Sequence, residues 1–273
     1  MNQPANDNDA ASPCPSDQWA CSENCEVRQF ELARPCDVRG LLHCHTDYAG
    51  GAHDLVSMVE MAQELGLEYL GVTDKASSDM EPNGLDAEGW KFQRAELDAL
   101  NRDQNAVVLL HGIEVETDEH GGLPLPDADL QRFDYVVATL RNGVDLTREQ
   151  WTSRAVRAVM HPYVHVLGHP FGDWMTAEDR ELPVDLDTVL RAAAKANVAV
   201  EIDANPSHHQ LDWRHCEKAQ ELGVTIVIAS DVHRAARLAD YRHGVELTRQ
   251  AGLCCRQILN TQPLKFVKEY FNR

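Results

Sequence analysis

Short apolar runs that end in a polar or ionisable side chain recur seven times along the chain. They span residues 39–42, 69–72, 107–110, 135–140, 164–167, 198–200 and 224–228. Runs rich in Val, Ile and Leu, separated by segments of helix length, are typical of parallel strands in repeated βα units. The pattern therefore predicts an α/β fold whose seven strands close into a barrel.

The segments between these runs carry helical periodicity and residues that mark helix boundaries. Asp54 is an expected N-cap for a helix that Gly66 ends, and Thr147 with Gln150 behind it gives a second cap-like start. The helices that we predict span residues 54–65, 86–100, 147–160, 185–196, 212–222, 235–251 and 261–271. The loops 77–84 and 171–181 are long enough to shape a pocket where the strands end.

The length of 273 residues fits one α/β barrel, because barrels of roughly 200 to 250 residues form single domains. We predict that residues 37–273 form the barrel and that residues 1–36, which lack a periodic apolar face, are a poorly ordered segment. This segment contains four cysteines whose spacing does not reproduce a paired C-x2-C zinc pattern, namely Cys14, Cys21, Cys25 and Cys36. We interpret them as free thiols, with a metal or redox role as the alternative.

Acidic residues strongly outnumber basic ones. The chain has 44 Asp and Glu against 25 Lys and Arg, a formal net charge of −19 with neutral histidines. Strong autonomous nucleic-acid binding needs cations that neutralise phosphates, so this composition argues against it. A small phosphorylated or other anionic substrate stays compatible if a metal ion attracts it. We find no signal peptide and no apolar run near the roughly 18 residues that span a bilayer, so we expect a cytoplasmic protein with reduced cysteines.

The polar side chains that follow the runs predict a metal site. In barrels of parallel strands, catalytic groups lie at the C-terminal strand ends. Positions i and i+2 of a strand point to the same face, so His43 and His45 both enter the barrel while Cys44 points away. Two hydrogen-bonded core histidines are the alternative for this pair. Glu114 and Asp231 follow other runs, and imidazoles together with carboxylates suit zinc, manganese or iron.

Six short motifs in a fixed order resemble one protein family. They are His43-Cys44-His45-Thr46, Val72-Thr73-Asp74, Gly112-Ile113-Glu114-Val115, Leu167-Gly168-His169-Pro170, Glu201-Ile202-Asp203-Ala204-Asn205-Pro206 and Asp231-Val232-His233. This order is similar to that of the PHP (polymerase and histidinol phosphatase) superfamily, and most of all to the C-terminal PHP domain of bacterial family X DNA polymerases, over residues 38–264. The resemblance implies a distorted seven-stranded TIM-like barrel that holds up to three divalent ions and cleaves phosphate esters. We expect the domain to stand alone here, without the polymerase domains.

The resemblance assigns one complete metal position to His43, His45, Glu114 and Asp231. Each of these residues matches a ligand position of the family motifs. A divalent zinc, manganese or iron ion is therefore the cofactor that we expect.

The other two metal positions of the family are incomplete in this chain. The second would use His169, but Arg141 stands where the family has a histidine. The third would use His233, but Gly50 and Lys75 replace an aspartate and a histidine. We therefore expect one bound ion rather than three.

Several side chains near the complete position are candidates for substrate binding and proton transfer. Lys75 and Arg141 bring positive charge where imidazoles are lost, and they either grip substrate phosphate or merely neutralise a decayed site. His233 or His169, freed from full ligation, is a candidate general acid. Four further residues have expected supporting roles: Asp203 and Asn205 as lining of the substrate pocket, and Asp74 and Glu201 as partners that hold ligand side chains.

The function that these residues favour is that of a metal-dependent phosphoesterase, in which a metal-bound hydroxide attacks phosphorus. Covalent catalysis by Cys44 is disfavoured, because its thiol points away from the neighbouring histidines. Two alternatives stay open. One is a weakened or inactive PHP domain that acts as a binding module, and the other is a mononuclear metal hydrolase that acts on a non-phosphate ester or an amide.

Overall fold

The computed structural model describes residues 31–79, 81–102, 107–140, 146–170, 184–205, 213–229 and 231–272. Within them, seven strands form one sheet in which every neighbouring pair is parallel and the strand order follows the chain. The strands are β1 (Gly40–Cys44), β2 (Tyr69–Val72), β3 (Val108–Glu116), β4 (Tyr135–Thr139), β5 (Val166–Gly168), β6 (Ala199–Asp203) and β7 (Ile226–Ala229). The seven-stranded α/β architecture predicted from the apolar runs is confirmed.

The segment after the last strand returns to the first strand, which nearly closes the barrel. Just beyond β7, Val232 forms a parallel bridge with Cys44, and its carbonyl accepts a hydrogen bond from the His45 N–H at 2.9 Å. The Val232 N–H donates in turn to the His43 carbonyl at 3.4 Å. This pairing places His43 and His45 beside the segment that carries Asp231.

Helices connect consecutive strands, and two more follow β7. The connecting helices are α1 (Leu55–Glu64), α2 (Ala87–Arg102), α3 (Asp127–Leu130), α4 (Arg148–Val159), α5 (Leu186–Ala196) and α6 (Trp213–Glu221), and those after β7 are α7 (Tyr241–Gln250) and α8 (Leu264–Phe271). The predicted caps are confirmed, because the Asp54 side chain accepts from the Ser57 N–H and because Thr147 and Gln150 form a reciprocal capping box. The predicted helix 235–251 is divided, since a 3-10 helix over Ala235–Asp240 precedes α7.

Strand β3 is longer than the apolar run 107–110 indicates. It continues through Gly112 to Glu116 because Ile113 and Val115, on the outer face, pack into a buried apolar cluster. Gly112 fits the inner face, since a Cβ there would lie 2.6 Å from the Tyr135 ring. Glu114 therefore lies within β3 rather than in the loop after it.

Apolar side chains fill the end of the barrel at which the strands begin. Tyr135 and Phe271 stack with ring centroids 4.4 Å apart, and the Tyr135 hydroxyl donates to the Leu42 carbonyl at 2.8 Å. Helix α8 contributes Val267 and Phe271 to this inner cluster. The interior is thus packed at one end, and the candidate metal ligands lie towards the other.

Some sequence-based expectations fall at or beyond the edges of the described ranges. Residues 31–36 are described, and in them Leu32 pairs antiparallel with Cys254 while Ala33 is buried. The predicted boundary between the N-terminal segment and the barrel, placed between residues 36 and 37, stays a prediction. Each helix of the described ranges is too short or too polar to traverse a lipid bilayer. Four residues and one loop lie outside these ranges, namely Cys14, Cys21, Cys25, Arg141 and residues 171–181.

Candidate metal centre

Four side chains that the sequence assigns to one metal position converge inside the barrel. His43 lies in β1, His45 directly follows it, Glu114 lies in β3 and Asp231 lies beyond β7. All four are buried, and one ligand atom from each lies within 4.8 Å of the others. Barrel closure between β1 and the segment after β7 brings both histidines next to Asp231.

The two imidazoles face the same two carboxylate oxygens. Nε2 of His43 lies 3.3 Å from Glu114 Oε2 and 3.8 Å from Asp231 Oδ1. Nε2 of His45 lies 3.2 Å from that glutamate oxygen and 2.9 Å from that aspartate oxygen. Two nitrogens and two oxygens form a donor set that zinc, manganese and iron accept.

Glu201 fixes which nitrogen of His43 faces the cluster. Its Oε2 accepts a hydrogen bond from His43 Nδ1 at 2.6 Å, so in the neutral ring Nε2 carries a lone pair. A buried nitrogen lone pair and a carboxylate oxygen repel each other, so a proton or a cation must lie between the two atoms. Burial opposes protonation of His43, but Glu201 and Glu114 outweigh it and raise its pKa well above the usual value. The residues present therefore fit a divalent cation.

Asp231 and His169 both adopt left-handed backbone geometry where their strands end, with φ of 43° and 44°. Non-glycine residues in this region cost about 1–3 kcal/mol each and persist only where the surroundings hold them. His169 is buried, and its Nε2 lies 3.5 Å from Asp231 Oδ2. His169 thus faces the second oxygen of Asp231, and with His43 and Glu201 it forms another group of ligand types within 4.8 Å.

His233 lies at the rim of the cluster, with 38% of its side chain exposed. Its ring stacks on His45 with centroids 4.6 Å apart and an interplanar angle of 9°. Its Nδ1 donates to the Gly50 carbonyl at 2.7 Å, and its Nε2 lies 3.4 Å from Asp231 Oδ1. A Cβ on Gly50 would lie 3.7 Å from both imidazoles, so glycine leaves room where the resemblance implies an aspartate.

The position of Lys75 brings its charge close to carboxylates. Its Nζ lies 3.5 Å from Glu81 Oε2, and its backbone forms a parallel bridge with Glu114. Lys75, Glu81, Glu114 and Glu116 line one small cleft. Compensation of carboxylate charge by Lys75 fits this arrangement, while a contact with substrate phosphate stays a prediction.

Asp203 and Asn205 lie at the end of β6. Asp203 Oδ1 accepts from the Asn205 N–H at 2.8 Å, and Asn205 Oδ1 accepts from Arg237 Nη2 at 3.0 Å. Arg237 Nε also donates to Asp240 at 2.6 Å. Arg237 is a cation that sequence reasoning missed, because it belongs to none of the motifs.

Asp74 anchors the turn after β1. Its carboxylate accepts from the Thr46 N–H at 2.6 Å, from the Thr46 hydroxyl and from Gln93 Nε2 at 2.5 Å. It also lies 3.9 Å from His45 Nδ1, an atom without a hydrogen-bond partner among the described residues. Burial raises the pKa of Asp74, and the neighbouring His45 and Thr46 oppose that rise. Gln93 was missed, since a polar residue on a helix gives no signal of such a contact.

Thr139 makes a further contact that sequence reasoning missed. It ends β4, and its hydroxyl donates to Glu114 Oε1 at 3.1 Å. In the sequence, this threonine resembles any other small residue at the end of a buried strand. Only the pairing of β4 with β3 places it beside the glutamate.

No family model matches the chain, but curated proteins and solved structures do. The DNA polymerase/3'-5' exonuclease PolX of Bacillus subtilis is 31% identical over 244 residues, which cover 89% of this chain and 43% of the polymerase. A protein of Thermoanaerobacter sp. named "probable phosphatase" is 29% identical over 245 residues, 84% of this chain and 94% of that protein. The structure of histidinol phosphate phosphatase from Lactococcus lactis, complexed with zinc, L-histidinol and phosphate, matches with a TM-score of 0.60 and 19% identity over 79% of this chain and 94% of that one. The chain is homologous to the PHP domain of this polymerase and to the probable phosphatases.

This homology confirms the resemblance to the PHP superfamily that was drawn from the six motifs. The chain spans 43% of the length of the polymerase that it matches. The likeness to the Lactococcus lactis enzyme, at 19% identity, concerns the fold, and it agrees with the seven-stranded barrel seen here.

Proposed function

We propose that this chain is a metal-dependent phosphoesterase that works with one divalent ion. The observation that carries the proposal is the convergence of His43, His45, Glu114 and Asp231, whose ligand atoms lie within 4.8 Å of one another. The Thermoanaerobacter relative is named a phosphatase, and the Lactococcus lactis structure contains zinc and phosphate. These names support hydrolysis of a phosphate ester and make zinc the first metal to test, with manganese and iron as the alternatives.

A single ion, rather than three, is the finer part of the proposal. Gly50 offers no side-chain ligand beside His233, and Lys75 carries an ammonium group where the family has a histidine. The Lys75 ammonium, which lies 3.5 Å from Glu81 Oε2 in a cleft that Glu114 also lines, would oppose the entry of another divalent ion into the same region. Arg141, outside the described residues, introduces the same kind of change.

We assign separate roles to the side chains around the proposed ion. A bound divalent ion supplies Lewis acidity, which activates water and polarises a phosphoryl oxygen. Glu201 holds the proton of His43 on Nδ1 and thereby keeps Nε2 directed at the cluster. The Nδ1–H of His233 donates to the Gly50 carbonyl, so the Nε2–H of the protonated ring would donate the proton that the leaving oxygen needs as its bond to phosphorus breaks. The buried His169 orients Asp231 or adds a ligand.

The substrate that we propose is a small phosphorylated or otherwise anionic compound. Lys75 and Arg141 would bind its phosphate oxygens, and Asp203 and Asn205 would line its pocket. The net charge of −19 disfavours autonomous binding to long nucleic acids. The hydrogen bond from Arg237 to Asn205 Oδ1 would orient the Asn205 side chain on this side of the proposed pocket.

Metal analysis combined with an activity panel tests the proposed function. The purified chain would be loaded with zinc or manganese, and its metal content measured beside its rates on phosphomonoesters, phosphodiesters and lactones. We expect about one ion per chain and turnover of phosphate esters. Turnover of lactones alone would favour the alternative of a mononuclear hydrolase that acts on non-phosphate esters. A bound ion without any turnover would favour the binding module. Three bound ions per chain would contradict the single-ion site.

Removal of either proposed phosphate-binding cation should weaken phosphate binding. For Lys75→Ala and Arg141→Ala we expect the inhibition constant of inorganic phosphate to rise on the order of 10-fold, because a hydrogen bond to a charged group contributes about 1.5–3 kcal/mol. Glu81→Gln removes the carboxylate next to Lys75 and should leave phosphate binding unchanged or tighter. Lys265→Ala, with 82% of the lysine side chain exposed, is the matched control. Unchanged constants in both alanine variants would mean that these cations only neutralise the site.

A further inference from the structure

A row of buried hydrogen bonds leads from an arginine to the candidate metal ligand Glu114. Arg154, on α4, donates from Nε to the Thr117 hydroxyl at 3.0 Å and from Nη2 to the Thr117 carbonyl at 2.6 Å. Thr117 donates to the Thr139 carbonyl from its N–H at 3.0 Å and from its hydroxyl at 3.1 Å. The Thr139 hydroxyl then donates to Glu114 Oε1 at 3.1 Å. The row thus ends on the glutamate oxygen opposite the one that faces His43 and His45.

Arg154 fixes the direction in which these groups donate. A guanidinium has N–H donors only, so the Thr117 hydroxyl must accept from Arg154 and must send its own hydrogen to the Thr139 carbonyl. The guanidinium is buried and stacks over the Trp151 ring, 5.0 Å from its centroid. Burial lowers the pKa of Arg154, while the nearby Glu116 and Asp118 oppose that effect. The backbone of Thr139 is therefore attached to a rigid, charged anchor.

Packing fixes the side chain of Thr139 as well. A Cβ added to Gly168 would lie 2.9 Å from the Thr139 methyl carbon and 3.0 Å from Val137 Cγ1. The glycine in β5 therefore gives the threonine methyl group its place, and with the methyl group placed there the hydroxyl points to Glu114. Threonine χ1 has few stable rotamers, so one well-packed methyl group is enough to define the hydroxyl direction.

We propose that Thr139 is a positioning residue for the metal centre. By donating to Oε1, it holds the Glu114 carboxylate in the rotation that presents Oε2 to Nε2 of His43 and of His45, 3.3 and 3.2 Å away. A carboxylate free to rotate would lose orientational entropy on binding an ion, and the hydrogen bond removes that cost beforehand. The inference rests on the metal centre of the proposed function and adds a residue to it.

Zinc affinity of three variants tests this role. Competition with a chromophoric chelator would measure the zinc dissociation constant of the wild-type chain, of Thr139→Val and of Thr139→Ser. We expect the isosteric Thr139→Val to bind zinc about 10 to 100-fold more weakly, the typical effect of losing a partner of a metal ligand. Thr139→Ser keeps the hydroxyl and should restore most of the affinity. Thr73→Val is the matched control, since the buried Thr73 hydroxyl donates to the Cys44 carbonyl and to no candidate ligand.

The same measurements separate the failure of this inference from failure of the proposed function. If the wild-type chain binds zinc and Thr139→Val binds it equally well, Thr139 does not position Glu114 and the metal centre stands. If the wild-type chain binds no divalent ion, the proposed function and this inference both fail. Equal melting temperatures of the metal-free variants would show that a weaker affinity comes from the site and not from a damaged fold. A loss of affinity in Thr73→Val as large as in Thr139→Val would contradict a specific role for Thr139.

Discussion

Replacing His43 by alanine is expected to abolish stoichiometric binding of the proposed divalent ion and to lower the proposed phosphoesterase activity by more than roughly 100-fold. Loss of a residue that only supports a metal ligand already costs about 10 to 100-fold, and His43 is proposed as a ligand itself. Its Nε2 faces Glu114 and Asp231, and its Nδ1 is held by Glu201 at 2.6 Å. Metal content of the purified variant, measured beside its rate with a phosphomonoester, checks both effects.

Because removal of a buried imidazole can disturb the fold, Asp231→Asn provides a second variant of unchanged size. It removes the charge and one ligand oxygen close to His45, so we expect the same loss of metal and of activity. His120→Ala, in which the replaced side chain is 72% exposed, should keep the metal content and rate of the wild-type chain. Full metal content in both site variants would show that the ion binds elsewhere.

Replacing His233 by alanine is expected to reduce kcat about 10² to 10⁴-fold for phosphate esters with poor leaving groups, the usual contribution of a general acid. Esters with good leaving groups, such as nitrophenyl phosphate, need little protonation and should lose much less. This expectation rests on two observations: 38% of the His233 side chain is exposed, and Nδ1 donates to the Gly50 carbonyl at 2.7 Å, which leaves Nε2 as the nitrogen that would deliver the proton. Rates measured over a series of leaving groups would reveal the difference.

Metal content distinguishes this role of His233 from ligation. His233→Ala should retain the ion with near wild-type affinity, because the four candidate ligands are untouched. The same leaving-group series applied to His169→Ala should show a uniform loss, since His169 is buried against Asp231 Oδ2. If kcat of His233→Ala falls equally for good and poor leaving groups, His233 is not the general acid. If kcat of His169→Ala falls only for poor leaving groups, His169 is the general acid instead.

The sequence identified most of the barrel because its strands are local features. Seven apolar runs, each buried in one strand, mark β1 to β7 without reference to the rest of the chain. The length of β3 was underestimated, because His111 and Gly112 interrupt the apolar run and, in the sequence, resemble the end of a strand. Inside the barrel, the glycine instead makes space for Tyr135.

The sequence also indicated the four candidate ligands, because each lies at or near the C-terminal end of a strand and parallel strands end on one side of a barrel. The i and i+2 spacing of His43 and His45 placed both on one face from local geometry alone. Glu114 and Asp231 needed only the assumption of a common strand direction. Residue type and position in the βα repeat placed these side chains at one end of the barrel, and the resemblance to the PHP motifs selected the four as one metal position.

Contacts across the sheet could not be predicted, because they depend on register and on side-chain packing between distant segments. The hydrogen bond from Thr139 to Glu114, the stack of His233 on His45 and the contact of Gln93 with Asp74 each join separate elements. None of them leaves a periodic or motif signal, since the same residue types would be equally acceptable elsewhere in a strand or helix. The sequence by itself thus determined the βα order and the chemical types at the strand ends. Only the closed barrel determines which side-chain atoms are in contact, because these contacts depend on the register of β3 with β4 and on the pairing of the segment after β7 with β1.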